Sequence, residues 1–320
     1  MRIAVLHNPT AGEEVLSRRK LEKLLRQHGH ECIYHSTKEE GQEEIRSDQA
    51  DLVLVAGGDG TVAKGAKLVG STRPLVILPL GTANNIALSL GIQGTPEEII
   101  GSLDRVSLRA FDLATATGPW GSTPFVESTG VGLFASLLRE GKEETGTPRK
   151  DDPELDPQAW GRHRLRGLLN RMAPRTCRVE LDGKDLSGDY LMVAAMNISH
   201  IGPRLRLAPG ADPGDGQLDL ILVREDDRVG FTTWLDELLQ GATPEFPVRA
   251  RTGRKIRIEW NGTAGHLDDE LWPKPGTVDC GEGMVTLEIS NEPVQMLVRE
   301  AQTPQLRRSS QSTPRPHRQK

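Results

Sequence analysis

The chain has no apolar run approaching the ~20 residues that a membrane-spanning helix needs, which removes helical integral membrane proteins from consideration. Aromatic residues are scarce at 4%, and the apolar share is 36% beside 34 Gly and 21 Pro. That balance fits a turn-rich enzyme and excludes a fibre or coiled coil. Cysteine is nearly absent: Cys32, Cys177 and Cys280 lie far apart, with neither zinc-ligand spacing nor a disulfide framework, so a reducing cytoplasm is the expected location. The opening Met1-Arg2-Ile3-Ala4-Val5-Leu6 reads into a strand and lacks a signal-peptide pattern. Positive charge is not in surplus either. A net charge of −5 gives no general attraction to nucleic acid or anionic lipid. Nucleic acid is therefore not an expected partner, and any membrane contact must be local and peripheral, at the inner face.

What is present has room for two domains in 320 residues. The first half alternates strand and helix patterns, as a parallel sheet with crossover helices does. Arg2 to His7 is an apolar strand, and Leu21, Leu24, Leu25 and His28 fall at i, i+3, i+4 and i+7, a helical stripe closed by Gly29. Cys32 to His35, Leu52 to Ala56 and Leu75 to Leu78 read as further strands. Thr95, Pro96 and Glu98 predict a capping box at a helix start.

After about Phe111 the pattern turns β-rich, through Tyr190–Ala194, Leu218–Val223, Lys255–Trp260 and Met284–Ile289, with a hairpin signal at Asp182-Gly183. One helix, Val229 to Gln240, interrupts it. Glu140 to Pro157 reads as a mobile loop rich in charge, Pro and Gly. The expected organisation is an α/β domain over residues 1–110, a β-rich domain over 111–290, a strand near 291–300 returning to the first domain, and a disordered tail at 301–320.

The sharpest chemical signal is Leu52-Val53-Leu54-Val55-Ala56-Gly57-Gly58-Asp59-Gly60-Thr61. A buried strand delivers the chain to a turn whose glycines leave backbone N–H groups bare, and a helix starts near Thr61. Its free amides and positive dipole end form a phosphate cradle. Asp59 beside phosphates calls for Mg²⁺ or water between them. No Lys-Ser/Thr pair follows, so this is not a Walker A loop. Pro79-Leu80-Gly81-Thr82-Ala83-Asn84-Asn85 is a second strand-to-helix loop, and Asn8-Pro9-Thr10-Ala11-Gly12 a third turn of the same orientation. In a parallel sheet such loops converge on one crevice.

These segments resemble the diacylglycerol kinase catalytic-domain family, which includes bacterial lipid kinases, sphingosine kinases and ceramide kinase. The resemblance continues through Leu207-Ala208-Pro209 and Asp215-Gly216-Gln217-Leu218-Asp219. It ends at Leu267-Asp268-Asp269-Glu270, in the place of the family's Asp-Gly-Glu turn. It implies an N-terminal doubly wound α/β nucleotide-binding domain with a C-terminal β-sandwich domain, and ATP-dependent phosphorylation of a lipid alcohol, diacylglycerol or a related lipid. ATP and Mg²⁺ are the implied cofactors and a lipid the implied partner, with a homodimer left open. By the resemblance, Asn8, Gly57, Gly58, Asp59, Gly60, Thr61, Gly81, Thr82 and Asn85 line the nucleotide. Asp268 is the general base, Glu270 joins a Mg²⁺-linked acidic network with Asp59, and Asp215 marks a Mg²⁺ site beside its own turn. Two positions depart from the pattern: the second loop commonly ends Asn-Asp but here reads Asn84-Asn85, and Asp269 replaces the glycine of Asp-Gly-Glu. Which of Asp268 and Asp269 faces the acceptor hydroxyl stays open, with spacing favouring Asp268.

Two other readings stand beside this one: an NAD kinase, whose family shares the Gly-Gly-Asp-Gly-Thr loop, and a non-catalytic nucleotide- or lipid-binding homologue. The NAD kinase reading lacks its Asn-Glu motif in the right place, since Asn291-Glu292 lies too late. Leu165, Leu168, Leu169 and Met172 form a further helical stripe, flanked by Arg162, Arg164, Arg166, Arg171 and Arg175. Such a helix either rests on an anionic membrane or buries its stripe in the core, and the second is the more common outcome.

Overall fold

The computed structural model describes residues 1–12, 16–46, 48–143, 156–260, 265–273 and 283–299. The tail expected at 301–320 lies outside the described residues.

Strands β1 (Arg2–His7), β2 (Glu31–Ser36), β3 (Leu52–Gly57), β4 (Leu75–Pro79), β5 (Val106–Phe111) and β20 (Val294–Arg299) form one sheet in the order β2-β1-β3-β4-β20-β5. Neighbours from β2 to β4 pair in parallel, and β20 runs parallel to β4 and antiparallel to β5. All six residues of β3 are buried, because helices cover both faces of the sheet. On one face pack α1 (Arg18–Gln27) and α4 (Pro96–Ile100), through Leu21, Leu24, Leu25, Ile99 and Ile100. On the other pack α2 (Asp59–Val69) and α3 (Asn85–Ser89), through Val62, Ala66, Ile86 and Ala87. Local chemistry sets the ends of these helices. Ser17 caps α1 by accepting the Lys20 N–H, and the Thr95–Glu98 capping box closes both of its hydrogen bonds, at 3.2 and 2.8 Å.

The second half is a β-sandwich. One sheet has the order β11-β10-β16-β19-β6-β7, formed by β6 (Ala114–Gly118), β7 (Gly121–Phe125), β10 (Val179–Leu181), β11 (Lys184–Asp185), β16 (Lys255–Trp260) and β19 (Gly283–Ile289). The other has the order β15-β14-β13-β8-β17-β18, formed by β8 (Ser128–Gly132), β13 (Met192–Met196), β14 (Leu218–Val223), β15 (Arg251–Gly253), β17 (Gly265–Leu267) and β18 (Glu270–Trp272). A short pair, β9 (Arg175–Cys177) with β12 (Gly188–Tyr190), flanks them. Val193, Ala195, Leu218 and Leu220 meet Ile256, Ile258 and Leu287 in the core between the sheets. Asp182 and Gly183, both at positive φ, turn β10 into β11, as the Asp-Gly signal predicts.

One expectation needs correction here, and one open choice is decided. The span from Glu140 does not begin as a loop: α5 (Leu133–Glu143) includes it, and α6 (Pro157–Arg171) starts at the other end, with residues 144–155 outside the described set. The stripe on α6 faces the protein and is closed to a membrane. Leu165, Leu168 and Leu169 are buried against Phe134, Trp234 and Ile221, where α5, α6 and α7 (Arg228–Leu239) form a third layer outside the second sheet. Full burial of a leucine is worth about 1.5–3 kcal/mol, so this face is not released cheaply. Among the described residues no helix is long and apolar enough to cross a membrane.

Candidate active site

The carboxyl ends of β1, β3 and β4 deliver their loops to one cleft, as the strand order requires. Asn8 follows β1, its N–H bound to the Ala56 carbonyl at 2.9 Å and its Oδ1 accepting from the Thr10 hydroxyl at 3.0 Å. After β3, Gly58 is the N-cap of α2. After β4, Asn84 at φ +54 braces its own loop, accepting from the Gly81 N–H at 2.8 Å and donating to the Gly81 carbonyl at 2.6 Å. The two glycine loops touch main chain to main chain. A Cβ on Gly81 would lie 2.4 Å from the Gly58 Cα, so only glycine permits this approach.

Between the loops lies an open cleft of about 530 Å³, bordered by Asn8, Gly58, Gly60, Thr61, Gly81 and Thr82. A Cβ on Gly60 would meet nothing within 4 Å, so this backbone faces open space. The free amides at the start of α2 point a partial positive charge at the cleft, and Lys38 and Lys64 border it as well. A second cleft of about 460 Å³ shares Gly12, Gly81 and Thr82 and continues past Leu16, Pro79 and Leu80. Across it, Arg204 and Gln158 of the second domain both donate to the Thr82 carbonyl, at 3.0 and 3.2 Å.

From the opposite side the sandwich contributes a two-residue turn, Asp268-Asp269, between β17 and β18. Asp268 takes φ +52, a left-handed value that aspartate tolerates better than most residues. Its carboxylate is fully engaged. Oδ1 accepts the N–H groups of Val126 and Glu127 at 3.0 and 2.8 Å, and Oδ2 pairs with Lys67 Nζ of α2 at 2.8 Å. Asp269 is the exposed member of the turn.

Carboxyl oxygens of Asp59, Glu127 and Asp269 all lie within 4.8 Å of one another. Asp59 is buried at the first turn of α2, and its Oδ1 accepts the Ile86 N–H at 2.9 Å. Burial pushes its carboxyl up, and the N–H groups of Ile86, Asn85 and Asn84 partly offset this. Glu127 is 1% exposed, and neither of its oxygens has a hydrogen-bond partner among the described residues. Burial, then the charges of Asp269, Asp59 and Asp268, hold it well above the usual carboxylate range. Although Asp269 is exposed as a residue, its carboxyl is turned into the acidic group, where burial and then the charges of Asp59, Asp268 and Glu270 push it up to about 7. Three clustered carboxylates with so little compensating charge form a donor set for a hard divalent cation.

The structure sorts the residues marked in the sequence. Asn8, Gly58, Gly60, Thr61, Gly81 and Thr82 border the cleft together. Gly57 lies behind it, packed on the Thr61 side chain. Asp59 points towards the second domain and into the acidic group. Asn85 is fully buried and donates to the Gly202 carbonyl at 3.0 Å, so its amide braces the two domains and does not border the cleft. Glu270 is exposed, and Asp269 takes the place in the acidic group expected for it, because the turn directs successive side chains differently. Asp215 is apart from that group. It is exposed, accepts the Gln217 N–H at 2.9 Å, and neighbours Asp219, whose carboxyl is pushed up to about 6 by burial and then by Asp215.

Sequence reasoning missed Glu127 and Lys67. The signal for Glu127 was a lone charge within Phe125-Val126-Glu127-Ser128-Thr129-Gly130, a setting in which an ordinary surface glutamate is out of place. Lys67 gave no local signal, since its partner is 201 positions away.

Comparison with known proteins agrees with this geometry. Residues 2–116 match the family described as diacylglycerol kinase catalytic domain, and residues 159–287 match the YegS C-terminal NAD kinase beta sandwich-like domain. A diacylglycerol kinase of Bacillus subtilis (strain 168) is 27% identical over 290 residues, covering 83% of this chain and 91% of that protein. A diacylglycerol kinase of Staphylococcus aureus (strain JH9) is 26% identical over 238 residues, 71% of each chain. Among solved structures, a diacylglycerol kinase from Bacillus anthracis str. Sterne superimposes with a TM-score of 0.65 at 18% identity, over 92% of this chain and 96% of the other. An NAD kinase from Archaeoglobus fulgidus in complex with ATP gives a TM-score of 0.52 at 15% identity, over 94% of each. At these identities the structural likeness is one of fold.

Proposed function

We propose that this chain, whose residues 2–116 match the diacylglycerol kinase catalytic domain and whose residues 159–287 match the YegS C-terminal sandwich-like domain, transfers the γ-phosphoryl group of ATP to a hydroxyl of a lipid alcohol, diacylglycerol or a close relative. The observation that carries this reading is the meeting of Asp59, beside the phosphate loop, with Asp269, on the turn of the sandwich. Phosphoryl transfer needs the phosphates held, their charge neutralised, and a carboxylate near the attacking hydroxyl. The start of α2 links them, since Gly58, Gly60 and Thr61 border the cleft and Asp59 joins the acidic group.

The phosphates bind at Gly58, Gly60 and Thr61, against the amides at the start of α2, with Lys38 and Lys64 at the border. The nucleoside extends into the adjoining cleft beside Leu16, Pro79 and Leu80. Asp59, Glu127 and Asp269 fit Mg²⁺ by donor chemistry: all oxygen, acidic, and in Glu127 unpartnered. When bound there, the cation would supply charge neutralisation for the transferring group.

The base assignment passes from Asp268 to Asp269. The Asp268 carboxylate is already occupied by the N–H groups of Val126 and Glu127 and by Lys67 Nζ, which leaves it committed to its own anchor. Its task is to hold the turn. Asp269, the exposed residue of the turn, takes the proton from the acceptor hydroxyl, a contribution of about 10²–10⁴-fold for a well-placed base.

Incubation of the full chain with labelled ATP, Mg²⁺ and a whole-lipid extract, beside a tube holding NAD instead, tests the proposal. A labelled lipid is the expected product. Label on NAD alone, or no labelled product from folded protein, overturns it.

A further inference from the structure

Shortly after β13, residues 201–205 make a turn that is fixed on every side. Ile201 and Leu205 exchange both backbone hydrogen bonds at 3.0 Å, and each is 1% exposed. Within the turn the Arg204 N–H reaches the Gly202 carbonyl at 2.7 Å. A Cβ on Gly202, which sits at φ +52, would lie 2.5 Å from the Phe134 ring, so this backbone rests directly on that ring. Arg162 Nε donates to the Pro203 carbonyl at 3.1 Å, and Asn85 Nδ2 of α3 donates to the Gly202 carbonyl at 3.0 Å. The turn is therefore held against both halves of the molecule before any ligand arrives.

Arg204 takes φ +52, a left-handed value that costs energy in any residue other than glycine and persists where the surroundings enforce it. Its side chain crosses to the second glycine-rich loop, where Nε donates to the Ala83 carbonyl at 2.9 Å and Nη2 to the Thr82 carbonyl at 3.0 Å. A guanidinium is a flat fork of five N–H donors. One edge of the fork is used in this way, and the remaining donors have no partner among the described residues. The charge is surplus to bracing as well, since the neutral amide of Gln158 already donates to the same Thr82 carbonyl at 3.2 Å. Arg204 is exposed, and it borders the cleft beside Leu16, Pro79 and Leu80, whereas the phosphate cleft is bordered by other residues.

We infer that Arg204 is a nucleotide-binding residue supplied by the sandwich domain: one edge of its guanidinium is fixed to the second glycine-rich loop, and its remaining N–H groups go to the ribose and base of the phosphate donor. It recognises the nucleoside and leaves the phosphates to the amides at the start of α2. The donor site is then complete only where the two domains meet at Thr82, so the domain that contains Asp269 also helps to hold ATP. This inference rests on the reading of the cleft beside Leu16 as the place of the nucleoside.

Titration calorimetry of the full chain in Mg²⁺ buffer tests it with two probes: a non-hydrolysable ATP analogue, and tripolyphosphate, which has the phosphates without the nucleoside. Arg204→Ala weakens the analogue by at least about tenfold, the scale of hydrogen bonds from a charged donor. Its affinity for tripolyphosphate stays within about twofold of the parent's. Arg204→Lys keeps the charge but lacks the fork, so the analogue is weakened there too while tripolyphosphate is not. Should Arg204→Ala fail to fold, as judged by circular dichroism, Arg204→Lys decides the matter with the same probes. Parent-like affinity of the variants for the analogue overturns the inference. So does an equal loss of both probes, because the side chain then only braces the loop. A parent that does not bind the analogue overturns the nucleotide reading itself and this inference with it, a result separate from any difference between parent and variant.

Discussion

Lys67 Nζ lies 2.8 Å from Asp268 Oδ2, joining the helix behind the phosphate loop to the acidic turn of the other domain. The pair is mostly shielded from water, with the Asp268 side chain only 10% exposed. The helix whose first residues border the cleft therefore holds the acidic turn further along its length. Lys67→Met removes that hold and should destabilise the protein by about 1.5–3 kcal/mol, the range for a hydrogen bond to a charged group. Lys67→Arg should recover most of the loss. Thermal melts at fixed pH decide the first point, and the ratio of kcat to KM for lipid reports whether the turn has shifted.

If Asp268 anchors the turn and Asp269 takes the proton, as proposed, their Asn variants should separate in the same way. Asp269→Asn is expected to lower turnover by about 10²-fold or more with little change in Tm, because the residue is exposed and its lost function is proton transfer. Asp268→Asn sets an amide against Lys67 and weakens a three-donor anchor, so its Tm should fall and its turnover should fall with it. A stable, inactive Asp268→Asn beside an active Asp269→Asn would return the base assignment to Asp268.

Contact between Gly58 and Gly81 makes a steric prediction. A methyl on Gly81 would sit 2.4 Å from the Gly58 Cα and 2.9 Å from the Asn84 Oδ1 that braces the loop. Gly81→Ala must therefore push the two loops apart, and nucleotide affinity should drop by at least about tenfold, or ~1.4 kcal/mol. Gly60→Ala meets no atom within 4 Å and should be well tolerated by the fold while crowding the bound phosphate. Titration with a non-hydrolysable ATP analogue, alongside melting curves, distinguishes the two effects.

Acid sensitivity should trace in part to His266. It is 1% exposed, and burial lowers its pKa to about 3, far below the 6.5 of a free imidazole. Between those values the unfolded chain binds a proton that the folded chain refuses, so this group's contribution is complete above pH 6.5 and is lost as pH falls towards 3. The slope approaches about 1.4 kcal/mol per pH unit within that window. His266→Gln removes the titration, and its stability should vary less between pH 6.5 and 4 than that of the parent. Asp219, pushed up to about 6, acts in the opposite sense, losing stability as pH rises towards that value. An unchanged slope in denaturant titrations of His266→Gln would refute the assignment.

Parts of the site could be read from the chain because their physics is local. Glycines after an apolar strand, a capping box at Thr95, and Asp182-Gly183 in a hairpin each depend on a handful of adjacent residues. The fold follows from strands and helices alternating in the first half and strands gathering in the second. It cannot by itself separate a lipid kinase from an NAD kinase, since solved members of both superimpose on this chain. The α6 stripe shows the limit of pattern: periodicity revealed an apolar face, but its burial against α5, α7 and the sheet depended on what lay opposite.

Sequence alone determined the phosphate loop, the order of the motifs and the two departures at Asn85 and Asp269, since each is written in neighbouring residues. Tertiary structure decided which carboxylates meet. Asp59, Glu127 and Asp269 are separated by long stretches of chain and converge only when the sandwich closes on the first sheet. The same closure gives Asp268 to Lys67 and Asp269 to the acidic group, because charge pairing depends on distance in space, and no local pattern encodes that distance.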